Sequence, residues 1–334
     1  TNEQLKRIDQ LLDSVKICDP AIGSGAFPMG LLQEIYSIKE VIAYETGKEW
    51  KPAEVKENII QNSIYGVDIE KGAVDIARLR FWLSLVVDED KPKPLPNLDY
   101  KIVVGDSLVS KFDGEVVEIE WNRTKSAGKG DEYLANIKQL LVDVAEKQRK
   151  FFHPEIKNKK KLTAEIRNLK IELLINQLSF NKLNYINKNS ELIDSGFGLT
   201  AKEKTRNSII KLEIAKYDNL LKKLTELKKK PEQLFNHFDW KLDFPEVLNP
   251  YLIGVNDGFD IIIGNPPYIG QSGNRDLFRE IINTQLGVMF HQRRMDYFYF
   301  FFHVTIRLVK TNGIISFIST NYFFNATYAD KLRK

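Results

Sequence analysis

Cysteine is almost missing from this chain of 334 residues: Cys18 is the only one. A single thiol excludes an internal disulfide and any metal centre built from cysteines, suits a reducing compartment, and reads as a core residue. Long apolar runs are missing as well. The longest, "YFYFFFHVTIRLV", falls far short of the roughly 20 residues a spanning helix needs, and His303 and Arg307 interrupt it, so no membrane span is expected. The opening "TNEQLKRIDQLLDSV" has neither the basic start nor the apolar centre of a signal peptide, and no initiator Met, which reads as an excised piece of a cytoplasmic protein. No internal repeat is found. What is present, 43% hydrophobic and 28% charged residues, is the composition of a globular protein with a real core.

Charge is unevenly spread. The net charge is +4, but residues 141–230 carry 21 Lys and Arg against 11 Asp and Glu, which leaves the other residues at −6. Within that basic segment, Leu162, Ile166, Leu169 and Leu173, and then Ile210, Ile214, Tyr217, Leu221 and Leu224, recur in alternating fours and threes. Two long helices joined by a loop around "NSELIDSGFGLT" are expected to pack as an antiparallel hairpin. Its lysines either solvate the outer faces or reach phosphates.

Elsewhere short apolar runs alternate with longer amphipathic ones, the pattern of strands and crossover helices in a mostly parallel α/β sheet. Strands are expected at 15–19, 64–68, 100–105, 259–264 and 313–319. Helices are expected at 27–44, 71–86 and 291–310, the last closed by a "TNG" turn, and the proline-rich "DEDKPKPLPN" reads as a connector. The aromatic run ahead of that turn reads as core rather than as a platform for bases.

Ligands of such sheets bind beyond the carboxyl ends of the strands, so the strand tips carry the chemistry. The first tip is "DPAIGSGAF", where Gly23 and Gly25 allow a tight turn into a helix. It lacks the GK[ST] of a phosphate loop and the third glycine of the dinucleotide fingerprint. Asp19 ahead of it would repel pyrophosphate and welcome a cationic ligand such as a sulfonium. Asp68 ends the second tip, where ribose hydroxyls are received, and Asp106 ends the third, suited to accept from an exocyclic amine. Each acid alone would serve equally as a helix cap; three at consecutive tips favour a ligand.

"DPAIGSGAF", "YGVDIEKGAVDIARLRFWLSL", "GDSL", "FDWKLDFPEV" and "FDIIIGNPPYI", in this order, resemble the gamma-order S-adenosylmethionine-dependent DNA adenine-N6 methyltransferases, most closely the methylase part of type IIG restriction-modification enzymes. The resemblance covers residues 15–334. It implies a Rossmann-like class I methyltransferase fold, doubly wound around a mostly parallel sheet, with a long helical insert. The expected organisation is 1–112 for cofactor binding, 113–238 for the insert and 239–334 for the NPPY motif. Double-stranded DNA is the implied partner, and the implied setting is a bacterial or archaeal cytoplasm.

Carried over by motif, Asp19, Pro20, Ala21, Gly23, Gly25, Ala26 and Phe27 would line the methionine moiety. Asp68 with Ile69 would meet the ribose, and Asp106, Ser107 and Leu108 the adenine of the cofactor. No metal or covalent intermediate is implied. Catalysis would fall to Asn265, Pro266, Pro267 and Tyr268. Adenine N6 is a poor nucleophile because its lone pair is delocalised into the ring. The Asn265 side-chain carbonyl and the Pro266 backbone carbonyl would grip the amino group, the two prolines would fix φ, and Tyr268 would stack on a base flipped from the duplex. Asn321 and Tyr322 are weaker candidates beside the base pocket.

Some features depart from the family pattern. Asp19 and Asp68 lie 49 residues apart, against about 20 in the usual fingerprint, so an extra piece around "TGKEWKPAEVKENII" must be accommodated. The chain stops at Lys334 after five strands, where the family adds two more and a separate target-recognition domain. No PD and D/E-x-K nuclease set is found, so any restriction activity is expected in a fused domain elsewhere. A methyltransferase for a protein glutamine or an RNA guanine, and a non-catalytic DNA-binding or subunit-docking piece, remain alternative readings.

Overall fold

The computed structural model describes residues 1–87, 98–118, 129–151, 158–194, 200–249 and 258–334. The connector expected at 88–97 lies outside them. The chain divides into two compact units, one formed by 1–118 with 237–334 and the other by 119–236.

The first unit is built on five parallel strands, β1 (Ile17–Asp19), β2 (Ile64–Asp68), β3 (Ile102–Val104), β6 (Phe259–Gly264) and β7 (Val309–Phe317), in the order β3-β2-β1-β6-β7. Two short antiparallel strands, β4 (Lys111–Phe112) and β5 (Glu115–Val116), form a separate ribbon. Strands of a parallel sheet are covered on both faces, which is why β1 and β2 are almost continuously apolar and buried. Alternate residues serve opposite layers. Ile17, Ile64 and Ile102 pack with Leu32, Ile59, Val74 and Phe81 on one face. On the other face, Cys18, Tyr65, Val67 and Ile262 pack with Phe238, Phe244 and Leu308.

The helices of the first face are α1 (Asn2–Ser14), α2 (Ala26–Thr46), α3 (Pro52–Ser63) and α4 (Lys71–Val86). The sequence reading did not include α1, although Thr1 and Gln4 form a capping box that marks its start. It is tied to α2 where buried Lys39 meets Asp9 and, at 2.8 Å, Asp13. The long spacing between the first two tips is taken up by α3, which Pro52 opens at a position where a missing N–H costs nothing.

The second unit is helical: α5 (Lys129–Phe151), α6 (Lys159–Lys188), the short α7 (Ser190–Asp194) and α8 (Ala201–Lys228). The side-chain pairs run antiparallel along both seams. Lys147 meets Glu165 and Lys159 lies over the Phe151 ring between α5 and α6; Lys182 meets Asp218 and Lys228 meets Glu172 between α6 and α8. The expected hairpin is thus one side of a three-helix arrangement, and part of its expected loop is α7. As the middle helix, α6 buries residues on more than one face, from Ile166 through Leu173 and Leu174 to Phe180, so a single heptad stripe underestimates it. By contrast α8 buries one stripe, including Ile210, Leu220 and Leu224. Leu162, Leu169, Ile214, Tyr217 and Leu221 are half-buried at the margins.

In the first unit the chain continues through α9 (Trp240–Asp243) and α10 (Pro245–Leu248), and after β6 through α11 (Arg275–Ile282), α12 (Gln285–Phe290) and α13 (Phe298–Leu308). The helix expected at 291–310 is therefore shorter at its start, because residues 294–297 pair with the segment after β6 instead. The "TNG" turn also differs. β7 begins at Val309, and Thr311 to Gly313 lie inside it at a register shift opposite Phe259 and Ile261, with Asn312 at φ 67°. An Asn tolerates that left-handed conformation, so the triplet makes a bulge rather than a helix stop.

Candidate active site

In this strand order the connections wind away from β1 in two directions, so the topological switch point lies between β1 and β6, which pair directly. A ligand crevice is expected at their carboxyl ends. The two tips that meet there are the Asp19 turn and the Asn265 loop. Their approach is close: a Cβ added to Gly264 would lie 2.8 Å from the Asp19 carboxylate, so only glycine lets β6 end against it.

Asp19 is buried at 1% exposure, and its Oδ1 accepts the Ala21 N–H at 3.0 Å. Burial raises its pKa to about 7 against the opposing effect of the Ala21 N–H, with Asp68 adding a further upward push. Pro20 is buried, Ala21 and Phe27 are half-buried and Ala26 is exposed. Gly23 and Gly25 both have positive φ, 52° and 83°. Gly25 caps α2, where an added Cβ would sit 3.2 Å from that of Ala77, whereas Gly23 faces open space.

The Asp68 carboxylate accepts from the Gly23 N–H at 2.8 Å and from the Glu70 N–H at 2.9 Å, which joins the second tip to the first. Ile69 beside it is 69% exposed, a large apolar side chain free to cover a ligand. Asp106 receives the Leu108 and Val109 N–H groups on Oδ1 at 2.9 and 3.1 Å, leaving Oδ2 3.9 Å from the Lys111 ammonium. Burial raises its pKa as well, against those N–H groups and Lys111. All three acids therefore act as backbone caps and still retain unused lone pairs.

Ser107 and Leu108 are turned inward. The Ser107 hydroxyl donates to Pro20 O at 2.6 Å, and Leu108 belongs to the aromatic core cluster with Phe298. These two residues position the third tip. Sequence reasoning gave no role to Trp240, whose Nε1 donates to Ser107 O at 3.0 Å, nor to Phe238, which occupies the space a side chain at Gly105 would need.

Across the switch point, Pro266 is buried while Asn265, Pro267 and Tyr268 are exposed. The Tyr268 hydroxyl lies 2.7 Å from Asn265 Oδ1 and also meets Ile318 O, and its ring packs edge-on against Phe298 at 5.4 Å. Ile318 N–H donates to Gly264 O at 3.0 Å, so the segment after β7 runs beside the loop. That segment places Asn321 and Tyr322, with Asn325 to Tyr328, around a cavity of about 450 Å³. The aromatic run Phe298–Phe301 is buried core, as expected.

Together the fold and the tips define a class, the Rossmann-like methyltransferases. The particular family follows from comparison with known sequences. A model described as "Eco57I restriction-modification methylase" matches residues 62–334, and one described as "MmeI, DNA-methyltransferase domain" matches residues 1–93. The chain belongs to the Eco57I restriction-modification methylase family.

It is 28% identical over 348 aligned residues to the putative type II restriction enzyme and methyltransferase RM.MjaORFECS2P of Methanocaldococcus jannaschii, covering 97% of this chain and 27% of that protein. It is 34% identical over 96 residues to the type II methyltransferase M.HincII of Haemophilus influenzae, covering 28% of this chain and 19% of that protein. The chain thus spans about a quarter or less of the length of these relatives. Among the described residues no helix is long and apolar enough to cross a membrane, and no cluster of His, Cys, Asp and Glu could hold a metal ion.

Proposed function

We propose that this chain is the methylating part of a restriction-modification protein, transferring methyl from S-adenosylmethionine to N6 of an adenine extruded from double-stranded DNA. The observation that carries the reading is the close approach of β6 to the Asp19 turn at Gly264. It brings Asn265, the next residue, beside the turn that would hold the cofactor.

The residues of the first crevice fit a cationic nucleoside. Asp19 is a buried carboxylate facing a glycine turn with open space at Gly23, Asp68 has lone pairs left for hydroxyls, and Ile69 is uncovered. S-adenosylmethionine supplies an activated methyl on a sulfonium when bound. Asp19 attracts that positive charge, and Asp68 orients the sugar.

Asn265 Oδ1 and the Pro266 carbonyl accept the two N–H bonds of the target amine and so favour an electron-rich, pyramidal nitrogen. An amide oxygen has two acceptor sites, so Tyr268 can hold the carbonyl in orientation while the amine takes the second. The exposed face of the Tyr268 ring stacks on the base, and the prolines keep both acceptors in place without rearrangement. Asn321 and Tyr322, on the segment whose Ile318 N–H bonds Gly264 O, would border the extruded base.

The match to a DNA-methyltransferase domain supports DNA as the substrate, and the similarity to RM.MjaORFECS2P, a putative restriction enzyme and methyltransferase, supports a nuclease on the same polypeptide. A protein glutamine or an RNA guanine would suit the amide-proline loop equally, but restriction-modification families favour DNA. Incubation of the full-length protein with unmethylated DNA and radiolabelled cofactor is expected to give labelled N6-methyladenine after nucleoside digestion; label in another base, or none, overturns the proposal.

A further inference from the structure

The loop between α12 and α13 carries two arginines that the chemistry above leaves unused. Arg293 and Arg294 are exposed, and among the described residues neither guanidinium has a hydrogen-bond or ion-pair partner. Of the neighbouring arginines, Arg279 pairs with Asp276 at 3.1 Å, Arg333 pairs with Asp330 and Arg307 lies over the Phe290 ring, whereas Arg275 at the start of α11 is exposed and uncommitted like the pair.

The backbone here is unusual too. Arg294 has φ 68°, a left-handed conformation that bulky L residues rarely adopt. It is held there by the segment that follows the Asn265 loop. The Arg294 N–H donates to Gln271 Oε1 at 2.7 Å, and Gln271, three residues beyond Tyr268, donates its own N–H to Met295 O at 3.1 Å. The Ile269 N–H donates to Asp296 Oδ1 at 3.0 Å and Ile269 O accepts from Tyr297 N–H at 2.9 Å, with Gly270 bridging antiparallel to Asp296. A third cation supports the loop, since the Lys331 ammonium donates to Met289 O at 2.7 Å and His291 O at 3.2 Å.

We propose that Arg293 and Arg294 form a phosphate clamp on the DNA strand that carries the extruded nucleotide. The inference rests on the methyltransferase reading above. Turning a nucleotide out of the stack swings it about its flanking phosphates, so those phosphates must be fixed close to the loop that holds the base. A guanidinium offers a planar fork of donors matched to phosphate oxygens, and two uncommitted ones side by side suit a phosphodiester. The Arg294 N–H to Gln271 and the bonds of Asp296 and Tyr297 with Ile269 tie the arginine loop to the same backbone as Asn265, so phosphate grip and amine grip move as one piece. These arginines are positioning residues.

The test uses the full-length protein, a mixed-sequence duplex and unmethylated genomic DNA. The double variant Arg293→Gln/Arg294→Asn keeps a residue that tolerates positive φ at 294. Its log K for the duplex against log salt is expected to flatten by about 0.9 for each phosphate the variant no longer neutralises. Its KM for DNA should rise about tenfold, with kcat within about twofold and cofactor affinity unchanged, because a grip kept from ground state to transition state affects only binding. Arg293→Lys, which keeps the charge, should retain most of the salt slope. A double variant with the wild-type slope and KM overturns the clamp. If the wild-type protein transfers no methyl to DNA while the variant still flattens the slope, the methyltransferase reading fails, and the clamp on an extruded strand is overturned in favour of plain phosphate binding by the two arginines.

Discussion

The two strand tips at the switch point differ in how their polar groups are satisfied. At the β1 tip Asp19 is buried and accepts the Ala21 N–H of its own turn, and the turn donates its Gly23 N–H to Asp68 of the β2 tip. At the β6 tip Asn265 is exposed, and its side-chain oxygen meets a single tyrosine hydroxyl. The first arrangement is fixed in orientation by backbone N–H groups, with lone pairs left over. The second leaves an acceptor site uncommitted at the surface. On the proposed function, the buried tip holds the small cofactor and the exposed tip receives a base extruded from the duplex.

The comparison breaks most sharply at the β6 tip. Asn265→Ala is expected to lower kcat by about 10² to 10³, the usual loss on removing one preorganised polar group, while cofactor affinity measured by calorimetry stays unchanged. Equal loss of both would mean that the tips are not separable. At the opposite end of the sheet, buried Lys101 joins Glu246 at 3.0 Å and the Tyr65 hydroxyl at 2.6 Å. Lys101→Ala leaves Glu246 without that partner and should cost about 3 kcal/mol in denaturant unfolding, yet leave the chemistry of the folded fraction intact.

Tyr268 sharpens the contrast further. Tyr268→Ala should weaken productive DNA binding by about 2 kcal/mol as stacking disappears. Tyr268→Phe keeps the ring and removes only the hydroxyl, so it should fall between Ala and wild type in single-turnover rates; a Phe variant as poor as Ala would assign the effect to the hydrogen bond with Asn265.

The smallest expected effect lies at the β1 tip and is read with pH. The folded protein holds the Asp19 proton up to about pH 7, above its ordinary range, because the site is buried. A sulfonium favours the ionised form, so cofactor affinity should rise as pH increases towards about 7 and level off beyond. Asp19→Asn should flatten that profile. In the free protein the sign is opposite. The raised pKa contributes stability at low pH that is lost as pH rises through about 7, so Asp19→Asn should flatten this loss too.

Local pattern made much of this legible. Strands β2 and β6 and helix α4 are apolar runs or periodic segments bounded by polar tips, and their observed limits coincide with those expected. The motifs at the tips are contiguous in sequence, so they are readable without coordinates. Residues whose roles depend on distant partners are not legible in this way. Trp240 braces Ser107 from 133 positions away, and Gln271 steadies Arg294. Nothing in either local sequence announces the other. The run "HQRRMDYF" reads as the start of a helix because its aromatics have helical spacing; pairing with Ile269 and Gly270 takes its backbone hydrogen bonds instead.

By itself the sequence determined the alternation of strands and helices, the separate basic helical segment and the order of the tip motifs, because periodicity, glycine turns and proline constraints act over a few residues. Only the tertiary structure decided that β6 inserts beside β1, that α6 lies between α5 and α8, and that three acids spend some of their lone pairs on backbone and leave others unused. Those outcomes depend on which distant surfaces bury each other, and on the room a glycine leaves at Gly264 for a carboxylate from another strand.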